Sequence, residues 1–548
     1  MKIKLHFFLI LMVSILAIFV VACVPDDVND SNESKAEGTD ESTPEDSDQG
    51  GNLIIGTTSG PTLFNPFYST DTSSMTIEGF IYSGLVTVDG EFNPEGDLAK
   101  DWEFSEGGKT WTFYLREDVK WHDGEDFTAD DVVFTYNIPL SEDYNGPRGY
   151  TYEDIKEVKK IDDYTVEFQL TAPSAPFLPI AMQSGILPQH ILEDVPISEL
   201  DENEFNTKSP IGTGPFKFDE WAEGQHIRLE AFDDYHFGRP KVDTLTTKIV
   251  PDANSLMAQL QAGDINYTSV SPENIEVAQK MEEDGIVTLQ SGTSNSWEYI
   301  IWNLRNPLFQ DKKVRHALTH ALDKEEILES VTNGQGQVAH GPGSPANWAF
   351  NPDVPKFEYN PEQVQKLLSE AGWEMGDDGI LEKNGEKFSF TIKTSQGESR
   401  EKIAVVAQQQ YKEIGIEVDI EVMEWSAFVE DTGPPNWNFD AQVSGMSIGS
   451  DPDPSYFWHS KEIESGLNYS AYSNQEVDEL LDKNTKILEQ EERAEIIGEA
   501  DALVAEDQPV TFLYYPDGHL AHSTNLMGPE YSAANSYYKI YEWHFEKD

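Results

Sequence analysis

The sequence predicts an α/β fold with mixed sheets, assembled from more than one domain. Three observations predict it. The chain has 548 residues, more than a single hydrophobic core accommodates. Strand and helix signals alternate in irregular order rather than as a βα repeat, which points to mixed pairing. An apolar strand signal, Val510 to Tyr514, falls close to the C-terminus. A strand placed there returns to the first-built sheet and makes one domain discontinuous in sequence.

The elements have local grounds. Asn52–Gly56 reads as a short buried strand. Thr110–Arg116 alternates and puts Trp111, Phe113 and Leu115 on one face. Asp123-Gly124 is a tight-turn dipeptide. Thr128 and Asp131 stand at capping-box spacing, so a helix starts there and stops before Pro139. Ile161–Leu170 reads as one strand. Asp252 caps a helix that carries Leu256 and Leu260 and ends at Gly263. Lys313–Leu328 reads as one helix, followed by helices over Glu362–Ala371 and Arg400–Ile414. Ile416–Met423 alternates as a strand, and helices over Val477–Leu488 and Arg493–Ala505 close the series.

Composition restricts the function. Hydrophobic residues at 38% and aromatics at 11% supply a globular core. Against 37 Lys+Arg stand 100 Asp+Glu, a net charge of −63. Such a surface repels nucleic acid and anionic membrane faces, which excludes a nucleic-acid partner. The one cysteine, Cys23, forms no disulfide within the chain and no cysteine-based metal site.

The position of Cys23 carries its meaning. Lys2 and Lys4 precede an apolar run from Phe7 to Val21, broken only by Ser14. That is the length of a signal-peptide core and short for a membrane span. Val20-Val21-Ala22-Cys23 resembles a bacterial lipobox, which implies cleavage before Cys23 and lipidation of its thiol. Val24–Gly50 has ten carboxylates, one lysine and no aromatic residue. It cannot bury enough apolar surface to fold and reads as an acidic tether. The expected boundaries are residues 1–22 for the signal peptide and 23–50 for the tether.

No catalytic constellation emerges. A hundred carboxylates guarantee chance pairs, so Asp130/Asp131 and Asp451/Asp453 carry little weight as acid–base candidates. The twelve histidines contain no His-Glu-x-x-His spacing, and no Gly-x-Ser-x-Gly elbow occurs. Gly212-Thr213-Gly214-Pro215-Phe216 lacks the Lys-Ser/Thr of a phosphate loop, and Pro215 lacks a backbone donor. It reads as a turn feeding a strand at Phe216. No catalytic residue, cofactor or metal is expected.

Eight stretches, in order, resemble the extracytoplasmic solute-binding proteins of the peptide/nickel importers, solute-binding protein family 5. They are Leu63-Phe64-Asn65-Pro66, Leu98–Glu103 with Gly108–Arg116, Val119–Glu125 with Phe127–Phe134, and Gly212–Phe216. Tyr235–Pro240, Asn303–Leu318, Asp451–Pro454 and Tyr472–Asp478 complete the series. The resemblance implies a two-lobed periplasmic-binding-protein-like fold of class II, cluster C type, with a hinge between lobes and an extra inserted domain. Domain I would comprise 51–87, 209–300 and 511–548. Domain II, 88–208, is inserted in that lobe, and domain III, 301–510, is the other lobe. The implied function is that of a monomeric, lipid-anchored binding protein on the extracytoplasmic face of the cell membrane. It would deliver oligopeptides to ABC importer permease subunits with cytoplasmic ATPases.

The same resemblance implies the site. Phe64 and Asn65 lie in the family's early loop, and Trp425 matches a pocket tryptophan. Backbone groups near Gly445 and Ser447 would pair with a peptide, since main-chain groups are common to all sequences. The chain departs from the family where peptide binders often carry a tryptophan, here Met446, followed three residues on by an aspartate. Counted either way, that place is Gly449 or Ile448, and no lysine or arginine lies between Asp431 and Ser460. Either Asp451 takes the peptide's ammonium or longer peptides are held by backbone alone; the second is preferred. Oligosaccharides stacked on Trp425, Trp437 and Trp458 are the alternative within the family. A nickel chelate is disfavoured by the absence of histidine from the contact segment. A signalling receptor and an extracellular hydrolase are the readings of other classes.

Overall fold

The computed structural model describes residues 50–548, apart from 106, 148, 179–183 and 548. The expected signal peptide, Cys23 and nearly all of the tether lie outside the described residues.

The first lobe opens with strand β1 (Asn52–Thr57) and helix α1 (Thr72–Ile81). A four-stranded antiparallel sheet follows, β2 (Ala99–Phe104), β3 (Thr110–Leu115), β4 (Ile155–Asp162) and β5 (Thr165–Leu170), in the order β2-β3-β5-β4. In β3 the alternation predicted from sequence holds, with Trp111, Phe113 and Leu115 buried. Helix α2 (Ala129–Asn137) packs on this sheet. Its capping box forms: the Thr128 backbone N–H donates to Asp131 Oδ2 at 2.9 Å, and Thr128 Oγ1 accepts from the first turn.

The chain then returns to β1. Gly214 N–H donates to Ile81 O at 2.8 Å, and a Cβ at Gly214 would stand 2.6 Å from the Ile81 carbonyl carbon. Only glycine passes so close to the end of α1. From this turn β6 (Phe216–Ala222), β7 (His226–Ala231) and β8 (Thr244–Ile249) form a meander beside β1. After β8 come helix α3 (Ala253–Ala262) and strands β9 (Tyr267–Ser269) and β10 (Val287–Thr293). Asp252 Oδ1 caps α3 by accepting from Ser255 N–H at 2.7 Å, and Gly263 ends it at φ +79°.

The second lobe starts at β11 (Ser296–Trp302). Helices α4 (Lys312–His320) and α5 (Lys324–Thr332), strand β12 (Gly336–Val338) and helix α6 (Pro361–Glu370) follow. Strand β13 (Ser389–Ser395), helix α7 (Glu398–Glu413), strand β14 (Glu417–Met423), helix α8 (Trp425–Thr432) and strand β15 (Ala441–Ser447) build the centre of the lobe. Helices α9 (Gln475–Asn484) and α10 (Gln490–Asp507) lead into β16 (Val510–Ser523).

β16 joins the two halves. Residues 510–514 pair antiparallel with β11, 514–516 with β12, 517–523 with β10 and 520–522 with β9. The result is one twelve-stranded sheet, with the path β14-β13-β15-β11-β16-β9-β1-β8-β7-β6 and with β10 and β12 also on β16. Among the described residues two extended segments link the lobes: 293–296, between β10 and β11, and 514–517, where β16 passes from β11 and β12 to β10.

Four expectations are corrected. Ile161–Leu170 is not one strand: Asp162 Oδ1 accepts from Tyr164 N–H at 2.9 Å and turns the chain between β4 and β5. Lys313–Leu328 is two helices, because Asp323 adopts an extended backbone and caps α5 through Glu326 N–H at 3.0 Å. The helix expected over Val477–Leu488 stops at Asn484. The strand at Val510 runs to Ser523 rather than Tyr514. Thr128→Ala removes one half of the α2 capping box and is expected to cost about 1 kcal/mol. A shift in the urea midpoint at unchanged slope would measure it, and an unmoved midpoint would contradict it.

Candidate ligand-binding site

β15 is paired unequally on its two edges. Along Ala441–Ser447 it runs antiparallel to β11, residue for residue from Trp302↔Ala441 to Ser296↔Ser447. On the other edge β13 meets it only at Ile392↔Ala441 and Lys393↔Gln442, then continues beside β14. From Val443 to Ser447 that edge has no strand partner among the described residues, and Ser444–Ser447 are partly or fully exposed. Alternate residues of a strand aim their N–H and C=O at each neighbour, so an edge of this kind offers a ladder for an incoming extended chain.

The middle of this segment is shaped by charge. Glu298 stands directly across from Gly445, and a Cβ at Gly445 would collide with the Glu298 carboxylate and the Arg400 guanidinium. Glycine therefore makes room for the ion pair, Arg400 Nε to Glu298 Oε2 at 3.3 Å. Burial pushes the Glu298 carboxyl up, and Arg400 partly offsets it. On the neighbouring strand Lys393 is paired to Asp431 at 2.5 Å, inside a polar cavity of about 490 Å³ lined by Thr391, Glu421, Trp437 and Asp440. Arg305 lies over the Trp437 ring at 4.3 Å.

The predicted site residues separate into two groups. Gly445, Met446 and Ser447 lie on the half-open segment of β15, with Met446 opposite Trp297 and Ser447 exposed. Trp425 begins α8, is 54% exposed and stacks on Phe428 at 6.0 Å. Phe64 and Asn65 do not face any opening: both are 0% exposed. Phe64 packs against Phe218 and Trp221. Asn65 donates to Asn206 Oδ1 at 2.9 Å and accepts from Phe67 N–H at 3.1 Å. Their work is to join the first segment of the lobe to residues near 206, so the expectation of direct ligand contact is corrected.

Asp451 is corrected as well. Its two carboxylate oxygens accept from Arg493 Nη1 and Nη2 at 2.6 and 2.7 Å, in a bidentate pair shielded from solvent. Asp453 N–H also donates to Oδ1 at 2.9 Å. With its charge balanced by Arg493 and three of its acceptor positions filled, this carboxylate is held as part of the lobe rather than presented to a ligand ammonium.

Sequence reasoning missed Glu298, Arg400, Arg493 and Asp501. Asp501 sits on the buried face of α10 with Ile497, Ala500 and Val504, and its signal was a charge at an apolar position. Together with Ile448, Pro452, Trp458 and Asn347 it lines a cavity of about 30 Å³ behind the end of β15. Elsewhere the lobes touch: Ala175 N–H donates to Thr485 O at 2.8 Å, and Leu488 packs on the first lobe beside Gly108. Among the described residues no group of three or more His, Cys, Asp or Glu side chains could hold a metal ion.

The sequence profile described as bacterial extracellular solute-binding proteins, family 5, matches residues 93–464. The oligopeptide-binding protein AppA of Bacillus subtilis is 48% identical over 538 residues, 97% of either chain. The chain belongs to the family 5 bacterial extracellular solute-binding proteins. The dipeptide-binding protein of Escherichia coli is a more distant member, 30% identical over 85% of this chain and 87% of its own. Among solved structures, family 5 AppA from B. subtilis in complex with a nonapeptide superposes with a TM-score of 0.77, covering 91% of this chain and all of that one. NikZ of Campylobacter jejuni in complex with Ni(L-His), 28% identical, has a TM-score of 0.76 over 90% of this chain and 99% of its own. The two-lobed family 5 architecture is thus common to proteins bound to different ligands, and the ligand of this member has to be argued from its own β15.

Asp501 gives a pH test of the cavity. Burial alone pushes its carboxyl up to about 8. A carboxyl raised on folding favours the folded state below its unfolded value, and that contribution is lost as pH rises through the folded value. Asp501→Asn keeps the shape without the titration. Its stability relative to wild type is expected to climb between about pH 4 and pH 8, by about 1.4 kcal/mol per pH unit where steepest and by up to about 5 kcal/mol in all. It should then level off. Urea midpoints across that range check this, and a constant difference would contradict it.

Proposed function

We propose that this protein captures oligopeptides outside the cell membrane for an ABC importer, holding them in the cleft between its lobes by backbone pairing along β15. The observation that carries the reading is the unpaired edge at Val443–Ser447. Main-chain pairing gives affinity without selecting side chains, which suits a receptor for many sequences. The pairing of Asp451 with Arg493 leaves it no free charge for a peptide terminus. That favours a groove open to longer peptides over a cage for short ones. The relation to AppA, solved with a nonapeptide, supports the same reading.

The lobes correspond to three domains. Residues 51–87, 209–300 and 511–548 are read as domain I, 88–208 as an insertion in the same lobe, and 301–510 as domain III, with the two boundaries at 300 and 510 moved to the crossings at 293–296 and 514–517 so that β11 and residues 510–514 stay with the second lobe. The course of β16 through both parts of the large sheet and the separate four-stranded sheet at 99–170 support this division. The protein acts as a monomer that binds and releases its ligand unchanged and catalyses nothing. The signal peptide is cleaved before Cys23, the thiol carries the lipid, and the acidic tether up to residue 50 sets the lobes off the membrane. More than one acyl chain makes such anchoring stable. Delivery is to permease subunits driven by cytoplasmic ATPases.

Mass spectrometry of material released by acid from protein purified out of peptide-rich medium is the direct test. Peptides of mixed sequence and narrow length are expected; oligosaccharides, a metal chelate, or no binding from peptide libraries would overturn the substrate reading. For the anchor, Cys23→Ser is expected to move the protein from the membrane fraction to the medium or periplasm. Retention of the variant in the membrane at the wild-type level would show that Cys23 is not the attachment point.

A further inference from the structure

The two crossings between lobes are fastened to each other. Ser294 N–H and Ser294 Oγ both donate to Pro516 O at 2.9 Å. Ser344 Oγ donates to Ser294 O at 2.7 Å. The next residue, Asn295, reaches the other way. Its Nδ2 donates to Ile448 O at 2.9 Å and to Gly449 O at 3.2 Å, and its backbone O accepts from Ile448 N–H at 2.8 Å. Ile448 follows directly on β15.

Two carbonyl acceptors decide which end of the Asn295 amide is nitrogen. Asn295 is 7% exposed, and its Oδ1 is buried without a hydrogen-bond partner among the described residues. A buried unpaired acceptor is unfavourable, so the position tolerates that cost for the two donors at the other end. Aspartate, serine and alanine cannot supply two donors there. The residue that lies in the crossing is therefore also the residue that holds the tail of the half-open strand.

We propose that Asn295 is a positioning residue that couples bending of the 293–296 crossing to the placement of β15, so that lobe closure and peptide pairing report on one another. The inference rests on the reading of the β15 edge as the peptide site. Asn295 itself touches no ligand. It acts through Ile448 and Gly449, fixing where the edge at Ser444–Ser447 stands relative to the hinge. A strand edge that slips by one residue presents the wrong groups, and a coupling between two sites acts in both directions.

Asn295→Asp keeps size and sets an acceptor against two carbonyl oxygens. The test uses the chain with Cys23→Ser and dyes at Glu220→Cys and Lys366→Cys, one exposed position in each lobe, with a library of random nonapeptides as the probe. Wild type is expected to bind and to change energy transfer between the dyes. In Asn295→Asp the apparent Kd should rise about tenfold or more, and the peptide-dependent change in transfer should fall by about half or more. Lowering the pH to about 5 should recover part of both, because a protonated aspartate regains one donor. A merely structural asparagine would lower the melting temperature and leave affinity and closure of the folded protein, and their pH dependence, as in wild type; that result overturns the proposal. If Asn295→Asp does not fold, Asn295→Ser, which retains one donor, is expected to show an intermediate loss, and wild-type binding and closure in it would overturn the proposal equally. Wild type that binds no peptide overturns the peptide reading itself.

Discussion

A backbone N–H or C=O that leaves water must find another partner, and the second lobe is arranged around one stretch where that requirement is met on one side only. β11 satisfies the inner edge of β15 over its whole length, while β13 departs after two residues and leaves the outer edge of Ser444–Ser447 partly or fully exposed. Exposed edges invite unwanted pairing, and proteins usually cover or charge them. Here the edge is short, and its residues pass from buried Val443 through half-buried Ser444–Met446 to exposed Ser447. Its surroundings keep it rigid: Asp451 and Arg493 lock the chain just beyond it, and Gly445 admits the Glu298–Arg400 pair against its backbone. These buried charges stabilise little for their own sake. Their use is to hold a half-paired strand in one place.

What the sequence made legible follows the range of the interactions involved. β3, α2 and α3 were predictable because alternation, a capping box and a glycine stop act within a few residues. The merged helix at 313–328 and the merged strand at 161–170 failed where one aspartate, Asp323 or Asp162, diverted the backbone inside an otherwise periodic run. Residues 440–448 are singled out as a contact segment by family resemblance alone. Its unequal edges, by contrast, depend on where β13 stops, which nothing within 441–447 records. Phe64 and Asn65 sit in a recognisable motif, yet motif order carries no information about burial. The partner of Asp451 lies on α10, and no local pattern in the acidic 451–454 segment points there.

The contact between lobes adds a contribution that no ligand makes. Ala175 N–H to Thr485 O and the packing of Leu488 on the first lobe join the two lobes away from β15. A contact that forms on closure favours the closed form for every ligand alike. Selection among ligands is left to groups near β15, and overall affinity is set partly at a place remote from it.

β16 begins at residue 510 of 548, yet β9, β10, β11 and β12 all pair with it. A chain that emerges N-terminus first lacks the strand completing both halves of its large sheet until residues 510–523 have been synthesised. Joining β11 to β16 closes a loop of roughly two hundred residues, so this step is late and non-local. Until β16 arrives, β9, β10, β11 and β12 lack the partner they share, and neither half of the large sheet can close.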